Sequence, residues 1–170
     1  TIGRILQFGL APALKQNFEE IQRAPYLIQM LLAEINHEGN ADFFRVNYDG
    51  YWEKFKQGTV ISGDNKVSER IQKTIEGTDF VSLALDQSIH SALRMWEEGR
   101  KKLKLEEPES STEDNNEVDD EMEDYPADLK EAFERWNLEV AVLSNNTGRK
   151  RLYRSLSESE IFALQSEMIR

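Results

Sequence analysis

The residues best suited to binding a ligand or partner form an aromatic and basic run in the first half of the chain. Six of the sixteen aromatic side chains fall within thirteen positions: Phe43, Phe44, Tyr48, Tyr51, Trp52 and Phe55. Because Arg45, Lys54 and Lys56 are interleaved with them, the run could stack the bases of a single-stranded nucleic acid. It could also be the hot spot of a protein interface, where Trp, Tyr and Arg are enriched. A third interpretation, cross-strand aromatic pairs that build a hairpin and the core beneath it, is the more common use of such a pattern.

A basic run at 149–154 is the strongest cationic patch of the chain. Such a run can contact phosphates, or its charge can protect an edge strand against aggregation. We expect a protein partner first and a nucleic acid as the alternative, because the body of the chain lacks the basic footprint of nucleic-acid binders. The predicted contact residues are the anchors Tyr48, Tyr51 and Trp52 and the electrostatic rim Arg149, Arg151 and Arg154.

The net charge of the chain is concentrated in one acidic segment. Eleven of the 32 acidic residues lie between Glu106 and Asp124, and no Lys or Arg lies among them. The rest of the chain has 21 acids and 21 bases, so the net charge of −11 belongs to this segment. Like charges and few large apolar residues cannot bury enough surface to offset the entropy of ordering. We therefore expect a disordered loop over 106–125.

Three functions fit this acidic segment. It could mimic a nucleic acid, mask the chain's own basic clusters at 100–104 and 149–154, or act as a regulated docking segment. For the last of these, Ser110 and Ser111 each have an acid three residues on, which suits acidophilic kinases, and phosphorylation would add further negative charge. A solvated insertion without function is the simplest alternative, because the entropy of loop closure grows slowly with length.

One short segment resembles a metal site in its spacing. Glu34 and His37 would share a helix face at i, i+3, which is the spacing of carboxylate di-iron sites in four-helix bundles. Such a site needs a second copy of the motif, and the other histidine, His90, has Gln87 where the glutamate would stand. We therefore expect no metal at this position.

No other motif of catalysis or cofactor binding is present in the sequence. The chain has no cysteine, which excludes thiolate chemistry and disulfides and fits a cytoplasmic or other reducing intracellular compartment. It has neither a Gly-rich phosphate loop nor a G-x-S-x-G elbow. We expect no cofactor and favour a non-enzymatic protein, with a hydrolase of unrecognised type as a further alternative.

The first half of the chain is predicted to be helical and then to change to strand. Apolar spacing predicts a helix up to Pro25 and a second helix through 27–35, with Gly39-Asn40 as its stop. Asp49-Gly50 between two β-prone runs predicts a hairpin over 43–56 with a type I′ turn. A third short strand could follow at 58–63. Val67, Ile71 and Ile75 then predict a helix that ends at Gly77.

The second half is predicted to mix helices with one more hairpin. An amphipathic helix begins near Asp86, and a short helix contains Phe133 and Trp136. The strands 138–143 and 149–154 flank a turn. Ser157 and Glu160 form a capping box for the last helix.

These elements predict a single α+β domain over 1–170: an N-terminal helical layer, two antiparallel hairpins, and amphipathic central and C-terminal helices. We expect the two hairpins to share one sheet. The apolar runs are too short for a transmembrane helix, the first residues lack the pattern of a secretory leader, and no membrane partner is expected. The predicted function is a protein–protein interaction module, such as an adaptor, an inhibitor or an assembly component. The oligomeric state is not predicted.

Overall fold

The computed structural model describes residues 1–106, 126, 128–144 and 153–169, with the backbone alone for 101–106. The fold is α+β, with helices and antiparallel sheets, as predicted. The described residues divide into two compact units, 1–82 with 141–144 and 153–154, and 83–106, 126 and 128–140 with 155–169. The assignment of the whole chain to a single domain stays a prediction. Among the described helices, none combines the length and the apolarity needed to span a bilayer.

A continuous helix begins the first unit. It consists of α1 (Ile2–Ile5), a π-helical turn (Leu6–Leu10) and α2 (Ala11–Glu19). The π-helical turn ends two residues before Pro12, which has no N–H to donate and whose ring crowds the preceding turn, so the wider turn accommodates the proline. Leu6 and Leu14 are buried and anchor the helix on the sheet of this unit.

That sheet has three antiparallel strands in the order β1 (Met30–Ile35), β2 (Ala41–Val46) and β3 (Trp52–Phe55). Its residues alternate between two faces, as strand geometry requires. On the face covered by the N-terminal helix, Phe44 and Val46 are buried against Leu6 and Leu14. This cluster is the core of the first unit.

The predicted helix over 27–35 is wrong, because its second half is the strand β1. The apolar spacing there fits a helix, but the chain turns back at 36–40 and pairs β1 with β2 residue by residue, from Met30 opposite Val46 to Ile35 opposite Ala41. Tertiary pairing of this kind overrides local periodicity.

The hairpin of β2 and β3 is confirmed, but its predicted type I′ turn is wrong. A type I′ turn needs a positive φ at both central residues. Only Gly50 has one (φ 81°), and no described residue other than glycine does. The Gly50 N–H donates to the Asn47 carbonyl (3.0 Å), and the Asn47 N–H donates to the Tyr51 carbonyl (2.8 Å). These bonds define a type I turn followed by a glycine bulge.

Helix α3 (Asn65–Glu76) completes the helices of the first unit, as its apolar spacing predicted. Asp64 caps it by accepting from the backbone N–H groups of Lys66 and Val67. The strand considered for 58–63 is not present, because this segment pairs with no strand. A single 3₁₀ turn (Phe80–Ser82) follows α3.

The second unit is built from three helices: α4 (Leu85–Glu106), α5 (Leu129–Arg135) and α6 (Glu158–Met168). The predicted capping box of α6 is confirmed, since Ser157 Oγ accepts from the Glu160 N–H and the Glu160 carboxylate accepts from the Ser157 N–H. Helix α6 packs on α4 and buries Leu164 and Met168.

The last two strands, β4 (Ala141–Leu143) and β5 (Tyr153–Ser155), form a two-stranded sheet of their own. The expectation that they would join the first hairpin in one sheet is therefore wrong for the described residues. Strands this short offer few ladder bonds and can pair locally. The turn predicted between them and the disordered loop predicted over 106–125 lie outside the described residues, apart from Ser144 and the backbone of Glu106.

Candidate functional site

The three predicted anchors lie on the first hairpin in different environments. Tyr48 is at the turn and packs its ring on Phe18 of α2, with the ring centroids 5.3 Å apart. Tyr51 is 56% exposed. Trp52 packs against the buried core beside Phe44, at a centroid distance of 6.1 Å. The structure therefore brings the three together along one hairpin but gives Trp52 a place in the core. Their role as anchors stays a prediction.

An ion pair lies beside the exposed Tyr51. The Arg45 guanidinium bonds the Glu53 carboxylate at 2.7 Å and lies 5.2 Å from the centre of the Phe55 ring. The nearby negative charge of Glu53 raises the pKa of Tyr51 above its ordinary value, because it disfavours the phenolate. Arg45 opposes this effect but does not cancel it.

The remaining predicted contact and regulatory residues are mostly beyond the described part of the chain. Arg149, Arg151, Ser110 and Ser111 fall outside it. Arg154 lies in the middle of β5 and is half-buried. The rim and the phosphorylation sites therefore stay predictions.

Neither histidine lines either of the two cavities described below. His37 is exposed in the turn between β1 and β2, and Glu34 lies in β1, where its carboxylate accepts from the Ile2 N–H at 2.7 Å. The helical spacing assumed for Glu34 and His37 does not exist, since they belong to a strand and a turn. His90 Nε2 is 3.6 Å from the Glu167 carboxylate, outside hydrogen-bond distance. Within the described ranges, no cluster of His, Asp and Glu has the composition of a metal site.

The most distinctive surface feature is an apolar groove between α4 and α5, in the second unit. It has a volume of about 360 Å³. Ten of its twelve lining residues are apolar. They are Ile89, Ala92, Leu93 and Trp96 on α4, Leu129, Ala132, Phe133 and Trp136 on or next to α5, and Leu138 and Val140 in the extended segment that follows. Asn137 and Glu139 are the two polar lining residues.

A buried carboxylate fixes the geometry of this groove. Glu97 on α4 is 6% exposed and accepts from the Leu129 N–H, the first of α5, at 3.3 Å. Its second oxygen bonds Arg94 at 3.3 Å. The Asp128 side chain caps the same helix end by accepting from the Glu131 N–H. Both acids thus satisfy orphan N–H groups of α5, and the bond to Glu97 links α5 to α4.

Two tryptophans form one wall of the groove. Trp96 and Trp136 meet edge to face, with centroids 6.2 Å apart and planes at 73°. The Arg100 guanidinium lies 5.3 Å from the centre of the Trp96 ring. Trp136 remains 42% exposed although it is a large apolar side chain. Exposed aromatic surface lining a concave site is typical of a binding surface.

Sequence reasoning found both helices but missed the groove. The helix predicted from near Asp86 carries Ile89, Ala92, Leu93 and Trp96 at helical spacing, and the short predicted helix contains Phe133 and Trp136. One sign of the groove was available in the sequence. Each of the two predicted helices includes a tryptophan, and its apolar face is wide for a helix in a small unit. The sequence did not reveal that the faces converge, because the segment between α4 and α5 is long and gives no geometric information.

A polar cleft of about 420 Å³ lies in the first unit, between the sheet and α3. Its lining carries both signs of charge, with Arg45 and Lys73 against Glu69 and Glu76. Balanced charges of this kind favour neither anionic nor cationic ligands. The apolar groove is therefore the stronger candidate site.

Comparison of the chain with protein-family models, with curated protein sequences and with solved structures finds no match in any of the three.

Proposed function

We propose that this protein is a non-enzymatic protein-binding module, whose groove between α4 and α5 holds an apolar peptide segment of a partner protein. The observation that carries the proposal is the exposed Trp136 packed on Trp96 in an otherwise apolar groove. Tryptophan dominates the binding energy of protein interfaces more than most residues do, particularly in pockets that exclude water.

The dimensions of the groove favour a peptide with a few apolar side chains. A volume of about 360 Å³ is at the lower end of ligand sites. The lining offers polar groups at Asn137 and Glu139, which are few for orienting a polar metabolite. Apolar side chains of a helix or an extended segment need no such partners, and their burial supplies the driving force.

The charge of the lining specifies the partner further. Glu139 is exposed and is the single ionisable residue among the twelve. A Lys or Arg next to the apolar anchors of the partner would pair with it at the edge of the groove. Such a rim pair contributes to specificity and association rate more than to affinity.

The proposal is tested with a library of random peptides displayed against the full chain. Peptides selected on the wild type are measured against Ala92→Arg, which places a long charged side chain in the groove at an exposed position of α4. The matched control is Ala84→Arg, the same change at an exposed position outside the groove. We expect Kd to rise about tenfold or more for Ala92→Arg, a loss of about 1.4 kcal/mol, and to be unchanged for Ala84→Arg.

Two further variants check the chemistry of the occupant. Trp136→Ala should weaken the same peptides, and Glu139→Lys should disfavour those that contain Lys or Arg. Selected peptides that bind all groove variants as well as the wild type would refute the groove as the binding site. So would a selection that yields no apolar anchors.

A further inference from the structure

The sheet of the first unit has two edges with different protection. The strand order makes β1 one edge and β3 the other. Strand β3 carries Glu53 and Lys54, and charges of this kind, lysine above all, discourage the addition of another strand. Strand β1 has one charged residue, Glu34, and its carboxylate is already bound by the Ile2 N–H on the helix-covered face. The β1 edge therefore lacks the usual charge protection.

The hydrogen bonds of the first turn determine which backbone groups face outward from β1. The Asn36 N–H donates to the Asn40 carbonyl at 2.9 Å, so 36 and 40 are a hydrogen-bonded pair. Bonded pairs alternate along an antiparallel ladder. By the register of β1 and β2, the bonded residues of β1 are then the even-numbered ones. The N–H and C=O groups of Leu31, Ala33 and Ile35 point away from β2.

Two of the three residues whose backbone groups point away from β2 are exposed, and Ile35 is half-buried. Leu31 is 47% exposed, and Ala33 is exposed as well. Outside the ladder with β2, none of the hydrogen bonds among the described residues involves the backbone of Leu31, Ala33 or Ile35. An exposed apolar edge with free donors and acceptors is a template for another strand.

We propose that β1 pairs with β1 of a second copy of this chain, antiparallel and about a two-fold axis, to form a continuous six-stranded sheet. Outward-facing residues must pair with outward-facing residues, and a pairing centred on the six residues of β1 then places the axis at position 32 or position 33. In either register Glu34 is opposite Met30 or Leu32 and never opposite the other Glu34. The strand is thus self-complementary, as an isologous interface requires. This proposal is independent of the groove, which belongs to the other unit.

Proline at position 33 tests the pairing between the two copies of β1 and leaves the hydrogen bonds between β1 and β2 in place. The Ala33 N–H faces outward, so Ala33→Pro removes a donor to the second copy and none to β2. The matched control is Ala33→Ser, which keeps the N–H. We expect sedimentation velocity to detect a dimer of the wild-type chain and of Ala33→Ser over a roughly hundredfold range of concentration, and a monomer of Ala33→Pro. Circular dichroism should be the same for all three.

A second variant keeps the test decisive if Ala33→Pro does not fold. Leu31→Lys places two like charges near the axis at an exposed position, and we expect it to be a folded monomer. Backbone hydrogen exchange gives a separate readout, because the Ala33 amide should become protected as the concentration of the wild type rises. A wild type that is monomeric throughout, or an Ala33→Pro that remains a dimer, would overturn the proposal. The groove experiment can succeed or fail regardless of this result.

Discussion

Gly50 in the turn between β2 and β3 lies directly against the backbone of Ala11 in the N-terminal helix. A Cβ on Gly50 would overlap the Ala11 carbonyl oxygen and would also lie 3.1 Å from the Lys15 backbone nitrogen. The turn of the hairpin is therefore a packing surface for α2 as well as a reversal of the chain. The contact of this turn with α2 packs the helix against the sheet next to the core.

The first prediction is that Gly50→Ala destabilises the protein. Alanine would meet the Ala11 carbonyl and would have to hold a positive φ, which alone costs about 1–2 kcal/mol. We expect a loss of at least that size in urea unfolding. Gly63→Ala is the matched control, because nothing lies within 4 Å of its Cβ position. Equal stability of the two variants would contradict the close approach.

The two turns of the sheet show what the sequence could and could not predict. Asp49-Gly50 identified the second turn because β-prone runs flank it. The first turn, 36–40, has the same two backbone hydrogen bonds as the second turn, and Gly39 has a positive φ as Gly50 does. The sequence interpretation made Gly39 a helix stop, because the apolar residues before it have a helical period. Both segments share the pattern Asn-x-acid-Gly, so comparing the turns with each other would have predicted β1.

The second prediction concerns the ion pair of Asp42 and Lys54. Lys54 bonds the buried Asp42 carboxylate at 2.7 Å and, with the Asn36 amide, holds the pKa of Asp42 below its ordinary 3.8, although burial acts the other way. The unfolded chain regains the ordinary pKa, so this stabilisation is present above 3.8 and is lost as the pH falls through the folded-state pKa. Asp42→Asn should therefore lose about 1–2 kcal/mol at neutral pH and less in acid.

Unfolding by urea across a pH series measures this difference. Glu38→Gln serves as the control, since the Glu38 side chain is 67% exposed in the first turn. Its stability should follow that of the wild type at each pH. A constant gap between Asp42→Asn and the wild type down to the lowest pH would show that the charge of Asp42 is not what stabilises the fold.

The third prediction separates the hairpin residues that build the core from those available to a partner. Trp52→Ala removes a ring that packs beside Phe44, and should cost about 2–3 kcal/mol. Tyr51→Ala removes an exposed ring and should change stability by less than about 0.5 kcal/mol. Thermal unfolding of both variants checks this. The reverse order would make Tyr51 the structural residue and Trp52 the better anchor for a partner.

The groove illustrates a different limit of the sequence. The apolar spacing on α4 and the short helix α5 were both predicted from local patterns. Their contact depends on Glu97, whose partner Leu129 lies 32 residues further along the chain. A buried glutamate in an amphipathic helix looks in sequence like any exposed one, and its neighbour Glu98 is exposed. Long-range hydrogen bonds of this kind leave no periodic signal.

The fourth prediction follows from that pair of glutamates. Glu97→Ala should cost about 1–3 kcal/mol, because it leaves the buried Leu129 N–H without its acceptor. Glu98→Ala is the neighbouring control and should change stability by less than about 0.5 kcal/mol. Glu97→Gln retains an acceptor oxygen and should fall between the two. Tryptophan fluorescence during thermal unfolding includes this region, since two of the three tryptophans, Trp96 and Trp136, meet next to Glu97. If Glu97→Ala and Glu98→Ala unfold alike, the hydrogen bond to Leu129 does not hold α5 on α4, and the groove must depend on apolar packing alone.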